Sequence, residues 1–280
     1  MQELINHLAN SIILRQKGSY LKKHIARTGM LPELQQGTPK RFRIDTITQE
    51  IFAEGKVLLL DKPVHWTSFD VVKKLRSLLR IKKIGHAGTL DPLASGLLII
   101  CTGKYTKKIN DFMAQEKEYT GAITIGAVTP TYDLESLPEQ QKDYSGITES
   151  MVYEAAQKFV GEIEQLPPVY SALKKAGTPL YELARRGEEI ELKPRKINIQ
   201  LFEITSIELP VIHFKVICST GTYIRSLAND VGQVLGCGGY LSELRRTAIG
   251  ETRVEEAISV TEFIEELEVL QGKSKENKES

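Results

Sequence analysis

The sequence predicts an α+β fold, a mixed and largely antiparallel sheet flanked by helices and loops. Three observations carry this expectation. Segments patterned as strands outnumber those patterned as helices and do not alternate with them regularly, which argues against a doubly wound parallel sheet. Ile212, Phe214, Val216 and Cys218 recur with the two-residue period of a half-buried strand. Val71, Val72, Leu75, Leu78 and Leu79 recur with the period of a helix that buries one face.

At 280 residues, 41% hydrophobic and 26% charged, the chain is long enough to build one sizeable core. Residues 1–50 have weak periodicity, scattered basic residues (Lys22, Lys23, Arg27, Lys40, Arg41, Arg43) and a Gly37-Thr38-Pro39 breaker, so a loosely ordered extension is expected there. Met30 offers an alternative start within it. The main domain is expected over residues 51–268. Residues 269–280 form a polar tail that cannot pack.

Within that domain, Val57-Leu58-Leu59-Leu60 reads as a buried strand running into Asp61-Lys62-Pro63. Thr67 with Asp70 three residues on signals a helix start, and the helix leaves Arg76, Arg80, Lys82 and Lys83 on or beyond its polar face. Leu97–Cys101 reads as a second buried strand and Tyr119–Ile125 as a half-buried one. After Thr148, the positions Val152, Ala155, Ala156, Phe159 and Val160 predict an amphipathic helix. Strands fit Lys196–Ile207 and Ile212–Cys218. A last helix carries Ile224, Leu227, Ala228, Val231 and Leu235 and is closed by Gly236.

Composition narrows the function classes. No apolar run approaches the roughly 20 residues that cross a bilayer, and the N-terminus lacks the order of a secretory signal, so a cytoplasmic protein is expected. The three cysteines, Cys101, Cys218 and Cys237, lie far apart, which favours buried free thiols over a disulfide or a zinc site. A formal net charge of +1 leaves a polyanionic partner to be judged from local clusters. Arg80/Lys82/Lys83, Lys104/Lys107/Lys108, Lys174/Lys175, Arg185/Arg186 and Arg245/Arg246 interleave with the candidate loops and make a phosphate-tracking surface plausible.

The stretch with most chemistry runs from Gly85 to Gly96, a loop with glycines at 85, 88 and 96 between a basic helix end and a buried strand. Glycines there let a backbone approach a ligand. Asp91 precedes Pro92, which biases it away from helix, so it is not an ordinary solvated helix charge. These residues alone leave both a functional carboxylate and an acidic turn residue open. Gly103-Lys104 lacks the upstream glycine and following Ser or Thr of a phosphate loop, and His86 and Asp91 have no second histidine nearby to complete a metal site.

The run Gly85-His86-Ala87-Gly88-Thr89-Leu90-Asp91-Pro92-Leu93-Ala94-Ser95-Gly96-Leu97-Leu98 resembles the signature motif of the bacterial tRNA pseudouridine-55 synthase family. Asp61-Lys62-Pro63 with Trp66-Thr67-Ser68, Lys117-Glu118-Tyr119, Pro167 to Lys174, Gly221 to Leu227 and Leu244-Arg245-Arg246-Thr247 resemble its other blocks in the same order. The resemblance spans roughly Gly55 to Gly250. It implies a pseudouridine-synthase-like sheet and the cofactor-free isomerisation of one uridine in the T-stem-loop of tRNA. No obligatory protein partner is implied, and a monomer is expected.

By the same resemblance Asp91 is the catalytic carboxylate, and Arg225 pairs with it and keeps it ionised. Tyr119 stacks on the base and is a candidate for taking the C5 proton, while Tyr223 walls the pocket. His86 is similar to the residue that fills the space left by a flipped base. Lys62 and Lys174, in the first and fourth blocks, complete the substrate-binding set. A hydrolytic glycosidase is disfavoured because no second acid has a loop setting comparable to that of Asp91. A catalytically idle RNA-binding protein on the same scaffold is the alternative, disfavoured by the joint presence of Asp91, Tyr119 and Arg225.

Two departures stand out. The family commonly has glycine where His65 stands, so a different bend or a stacking role is expected there. Some thirty residues follow the Leu244–Thr247 block, so the small C-terminal RNA-binding domain of many members is expected to be missing.

Overall fold

The computed structural model describes residues 49–270 except 172, 176 and 189. The expectations for residues 1–48 and for the tail from 271 lie outside the described residues. In chain order the elements are β1 (Val57–Lys62), α1 (Ser68–Leu79), β2 (Ile84–His86), β3 (Ser95–Thr102), a 3₁₀ segment (Gly103–Lys108), α2 (Ile109–Ala114), β4 (Lys117–Ile125), α3 (Glu149–Gln157) and β5 (Gly161–Gln165). They continue with β6 (Lys174–Lys175), β7 (Thr178–Pro179), α4 (Leu180–Arg185), β8 (Arg195–Glu208), β9 (Val211–Cys218), α5 (Ile224–Leu235) and β10 (Gly239–Ile249). Last come β11 (Thr252–Arg253), a 3₁₀ turn (Val254–Glu256), β12 (Ile258–Ser259) and α6 (Val260–Leu270).

These elements form two compact units, one from residues 49–92, 96–113 and 252–270, the other from 93–95 and 114–251. In the first, β1 pairs antiparallel with β3 and parallel with β12, and β2 pairs antiparallel with β3. In the second, the order β10-β4-β9-β8-β5 is antiparallel throughout. The fold class is α+β, with the mixed, largely antiparallel sheet that the patterning predicts.

The first unit's core follows from amphipathic periodicity. Thr67 caps α1 by accepting from Asp70 N–H while Asp70 accepts from Thr67 N–H, a reciprocal box that satisfies two otherwise orphan donors. The Thr67 hydroxyl's hydrogen bond pulls the Asp70 carboxyl below its usual range. Val71, Val72, Leu75, Leu78 and Leu79 are all buried, against Leu58 and Leu60 of β1, Leu98 and Ile100 of β3, and Val260, Phe263 and Leu267 of α6. Phe52 meets Phe263 edge to face, with ring centres 6.4 Å apart.

In the second unit β9 alternates as expected, with Ile212, Phe214, Val216 and Cys218 inside, and Phe214 meets Phe202 of β8 at 5.8 Å. Helix α5 buries Ile224, Leu227, Ala228, Val231 and Leu235 and ends on Gly236 in the left-handed conformation, φ 80°. It passes so near β10 that a Cβ on Gly232 would stand 2.1 Å from Gly239 N.

Two expectations change. Helix α3 starts on Thr148 as expected but stops at Gln157, leaving Val160 39% exposed. The cause is Gly161, which at φ 99° turns the chain into β5, paired there with Ile199 of β8. The Gly85–Gly96 loop is shorter than predicted, because Ile84–His86 and Ser95–Thr102 are strands pairing His86 with Ile100. The loop proper is residues 87–94. Cys101, Cys218 and Cys237 are free and buried, as composition suggests. Burial pushes the Cys101 and Cys218 thiols up to about 11.

Candidate active site

In the first unit the Asp91 loop joins β2 to β3, and the register that sets Lys62 against Gly96 brings the end of β1 to the end of β3 where this loop enters. A second loop, residues 63–67, is held against it. His65 N–H donates to Pro92 C=O at 2.7 Å. The Ser68 hydroxyl, buried at the first turn of α1, accepts from Leu90 N–H at 2.8 Å and donates to Leu90 C=O at 3.2 Å. Residues on both sides of Asp91 are therefore anchored, and Asp91 itself is half-buried. The backbone that carries this carboxylate is fixed before any ligand arrives.

Lys62 is fully buried, and its ammonium donates to Pro63 C=O at 2.8 Å and Trp66 C=O at 2.6 Å. A buried cation is tolerated only with such partners. Here it cross-braces the loop that grips Asp91. His65 has φ 65°, the left-handed region in which glycine is at no disadvantage. At this position a side chain therefore bears the strain. His86 lies on β2, half-buried.

The second unit supplies the other expected residues. Tyr119 sits on β4 between Val216 of β9 and Arg246 of β10, 9% exposed. Its neighbour Glu118 accepts from the Thr247 hydroxyl at 2.8 Å and pairs with Lys215 at 3.1 Å, which fixes the strand. On the other side burial, aided by the Arg246 charge, lowers Lys117 to about 8. Tyr223 is the residue from which α5 starts, and Arg225 lies within its first turn, 6% exposed. The Arg225 guanidinium donates to Thr131 C=O at 3.0 Å and Tyr170 C=O at 2.9 Å, and stands 3.6 Å from Asp133. A buried cation held by fixed carbonyls is pre-aimed at an anion.

Lys174 falls on β6, and its side chain lies outside the described residues. The structure gathers Lys62, His86 and Asp91 in one unit and Tyr119, Tyr223 and Arg225 in the other. Asp133 and Gln165 were not marked in the sequence, since their partners Arg225 and Tyr223 are distant along the chain and an Asp after Thr129-Pro130 reads as a turn. Of the basic clusters, Arg246 is 1% exposed and so is no solvated face. The exposed Lys82-Lys83 and Lys104/Lys107/Lys108 do converge, because Gly103 N–H bonds Lys83 C=O at 2.9 Å and Thr102 N–H bonds Lys56 C=O at 2.8 Å.

Among the described residues no group of three or more His, Cys, Asp or Glu is placed to hold a metal ion, and no helix is long and apolar enough to cross a membrane. A family model described as "TruB family pseudouridylate synthase (N terminal domain)" matches residues 76–224, and one described as "tRNA pseudouridylate synthase B C-terminal domain" matches residues 225–279. The chain belongs to the TruB family. The second match begins at Arg225, within α5 and inside the stretch expected as the main domain.

Curated relatives agree. A protein named tRNA pseudouridine synthase B from Flavobacterium johnsoniae is 54% identical over 79% of this chain and all of its own length. One of the same name from Chloroherpeton thalassium is 47% identical over 76% of this chain and 91% of its own. Among solved structures, the fold matches a chain of a Cbf5-Nop10-Gar1 complex at TM-score 0.59 and 28% identity, over 83% of this TruB-family chain and 60% of that one. It also matches a chain of the archaeal box H/ACA sRNP Nop10-Cbf5 complex at TM-score 0.57 and 25% identity, over 80% of this chain and 58% of that one.

Proposed function

We propose that the chain isomerises the uridine at position 55, in the T-loop of tRNA, to pseudouridine. The observation that carries this reading is the gripped loop on which Asp91 stands, in a chain 54% identical over its matched length to a tRNA pseudouridine synthase B. The reaction breaks the C1′–N1 bond, turns the base, and joins C5 to C1′; the C5 proton leaves and N1 gains one. Atoms and electrons balance within the nucleotide, so no co-reactant is called for.

In this reading Asp91 acts at the sugar or base as the reacting carboxylate. Arg225, held by the Thr131 and Tyr170 carbonyls, supplies a cation to the target nucleotide. Tyr119 stacks on the turned base and passes the C5 proton, Tyr223 walls the pocket, and His86 fills the gap left in the RNA stack. Lys62 serves through the loop it braces, and Lys174 contacts the RNA backbone. Lys82, Lys83, Lys104, Lys107 and Lys108 track phosphates, and the enzyme works in the cytoplasm as a monomer.

Release of tritium from tRNA carrying 5-tritiated uridine tests the reading, because C5 loses its hydrogen only when it becomes the new attachment point. Asp91→Asn is expected to abolish release while tRNA affinity stays within about threefold, since one carboxylate is a small share of a phosphate-dominated interface. Free uracil in place of tritiated water, or substantial turnover by the Asn variant, would overturn it.

A further inference from the structure

Gln165, the last residue of β5, is 2% exposed, and its carboxamide holds the backbone of Tyr223 from both sides. Its Oε1 accepts from Tyr223 N–H at 2.8 Å and its Nε2 donates to Tyr223 C=O at 3.0 Å. Tyr223 occupies the position where a helix is usually capped by a Ser, Thr, Asp or Asn side chain, and it makes no such side-chain bond. A carboxamide offers one donor and one acceptor in a plane, matching the N–H and C=O of one extended residue. Tyr223 has that extended backbone, φ −98° and ψ 108°, and α5 starts at the next residue.

The chain leaving β5 is fastened to α5 twice more, by the Ser226 hydroxyl to Leu166 C=O at 2.7 Å and by Arg225 to Tyr170 C=O at 2.9 Å. Ser226 holds the helix down, whereas Gln165 fixes where the helix begins, and that determines the direction of the Tyr223 ring and of the Arg225 guanidinium two residues later. We infer that Gln165 is a positioning residue for the isomerisation, setting Tyr223 and Arg225 in the orientation in which they meet the target nucleotide. The inference rests on the roles proposed above for those two residues.

The test is the single-turnover rate of tritium release at saturating enzyme, with tRNA affinity measured in parallel. Gln165→Leu is expected to slow the chemical step by roughly 10- to 100-fold, the scale of a misplaced catalytic group, and to leave affinity within about threefold. Gln165→Glu keeps the acceptor for Tyr223 N–H but not the donor to Tyr223 C=O, so its rate is expected to fall between. Ser226→Ala loses a bond of the same region without touching Tyr223 and is expected to react near the wild-type rate.

A Leu variant that reacts as fast as the wild type, a loss that only follows weakened affinity, or an equal loss in Ser226→Ala would overturn the inference. Should the Leu variant fail to fold by circular dichroism, the Glu variant decides in the same way. Wild-type protein that releases no tritium would instead remove the functional reading itself. The two failures are thus distinguishable.

Discussion

At the scale of single residues, Tyr119 carries two separable properties, a flat ring and a hydroxyl. It lies on a strand paired on both sides, so a substitution there changes the side chain without moving the backbone. Tyr119→Phe keeps the stacking face and is expected to bind tRNA almost normally. If the hydroxyl passes the C5 proton, the single-turnover rate falls by something like the 10²–10⁴ of a lost acid-base group. A Phe variant as fast as the parent would reduce Tyr119 to a platform. His65 shows the backbone side of the same scale: it holds a left-handed conformation that favours glycine, and from there its N–H reaches Pro92 C=O.

At the scale of elements, the cap of α1 is where sequence and structure agree most directly. Thr67 and Asp70 are three residues apart, so their reciprocal bonds are a local property and can be read without knowing the fold. Removing the cap by Thr67→Ala is expected to cost about 1 kcal/mol, measurable by urea unfolding. The same change slackens the start of the helix whose Ser68 holds Leu90, so the rate of tritium release is expected to fall modestly as well. The helices α1 and α5 and the strand β9 were legible because each buries a single periodic face. Strand β10 was not: register shifts between Leu241 and Glu243 and between Arg246 and Ala248 break its alternation, and it carries the buried Arg246. Asp91 was legible through its motif, whereas Asp133 and Gln165 acquire their meaning only from partners that tertiary folding supplies.

At the scale of the whole molecule, the net charge of +1 provides no long-range attraction for RNA, so affinity has to come from local clusters. Lys82 and Lys83 stand exposed where two basic segments meet, and reversing both to Glu is expected to weaken tRNA binding and lower the dependence of log affinity on log salt by about 2, one for each lost phosphate contact. An unchanged salt slope would place the RNA on another face. The two units also differ in how the chain enters them. The sheet of the second, β4 to β10, is drawn from one continuous stretch, whereas β1 of the first waits for β12, and Leu60 and Leu98 wait for Val260, Phe263 and Leu267. On the ribosome, where the chain emerges N-terminus first, the unit that begins earlier therefore finishes later, and β1, which leads into the loop that grips Asp91, is paired on both sides only once β12 has been made.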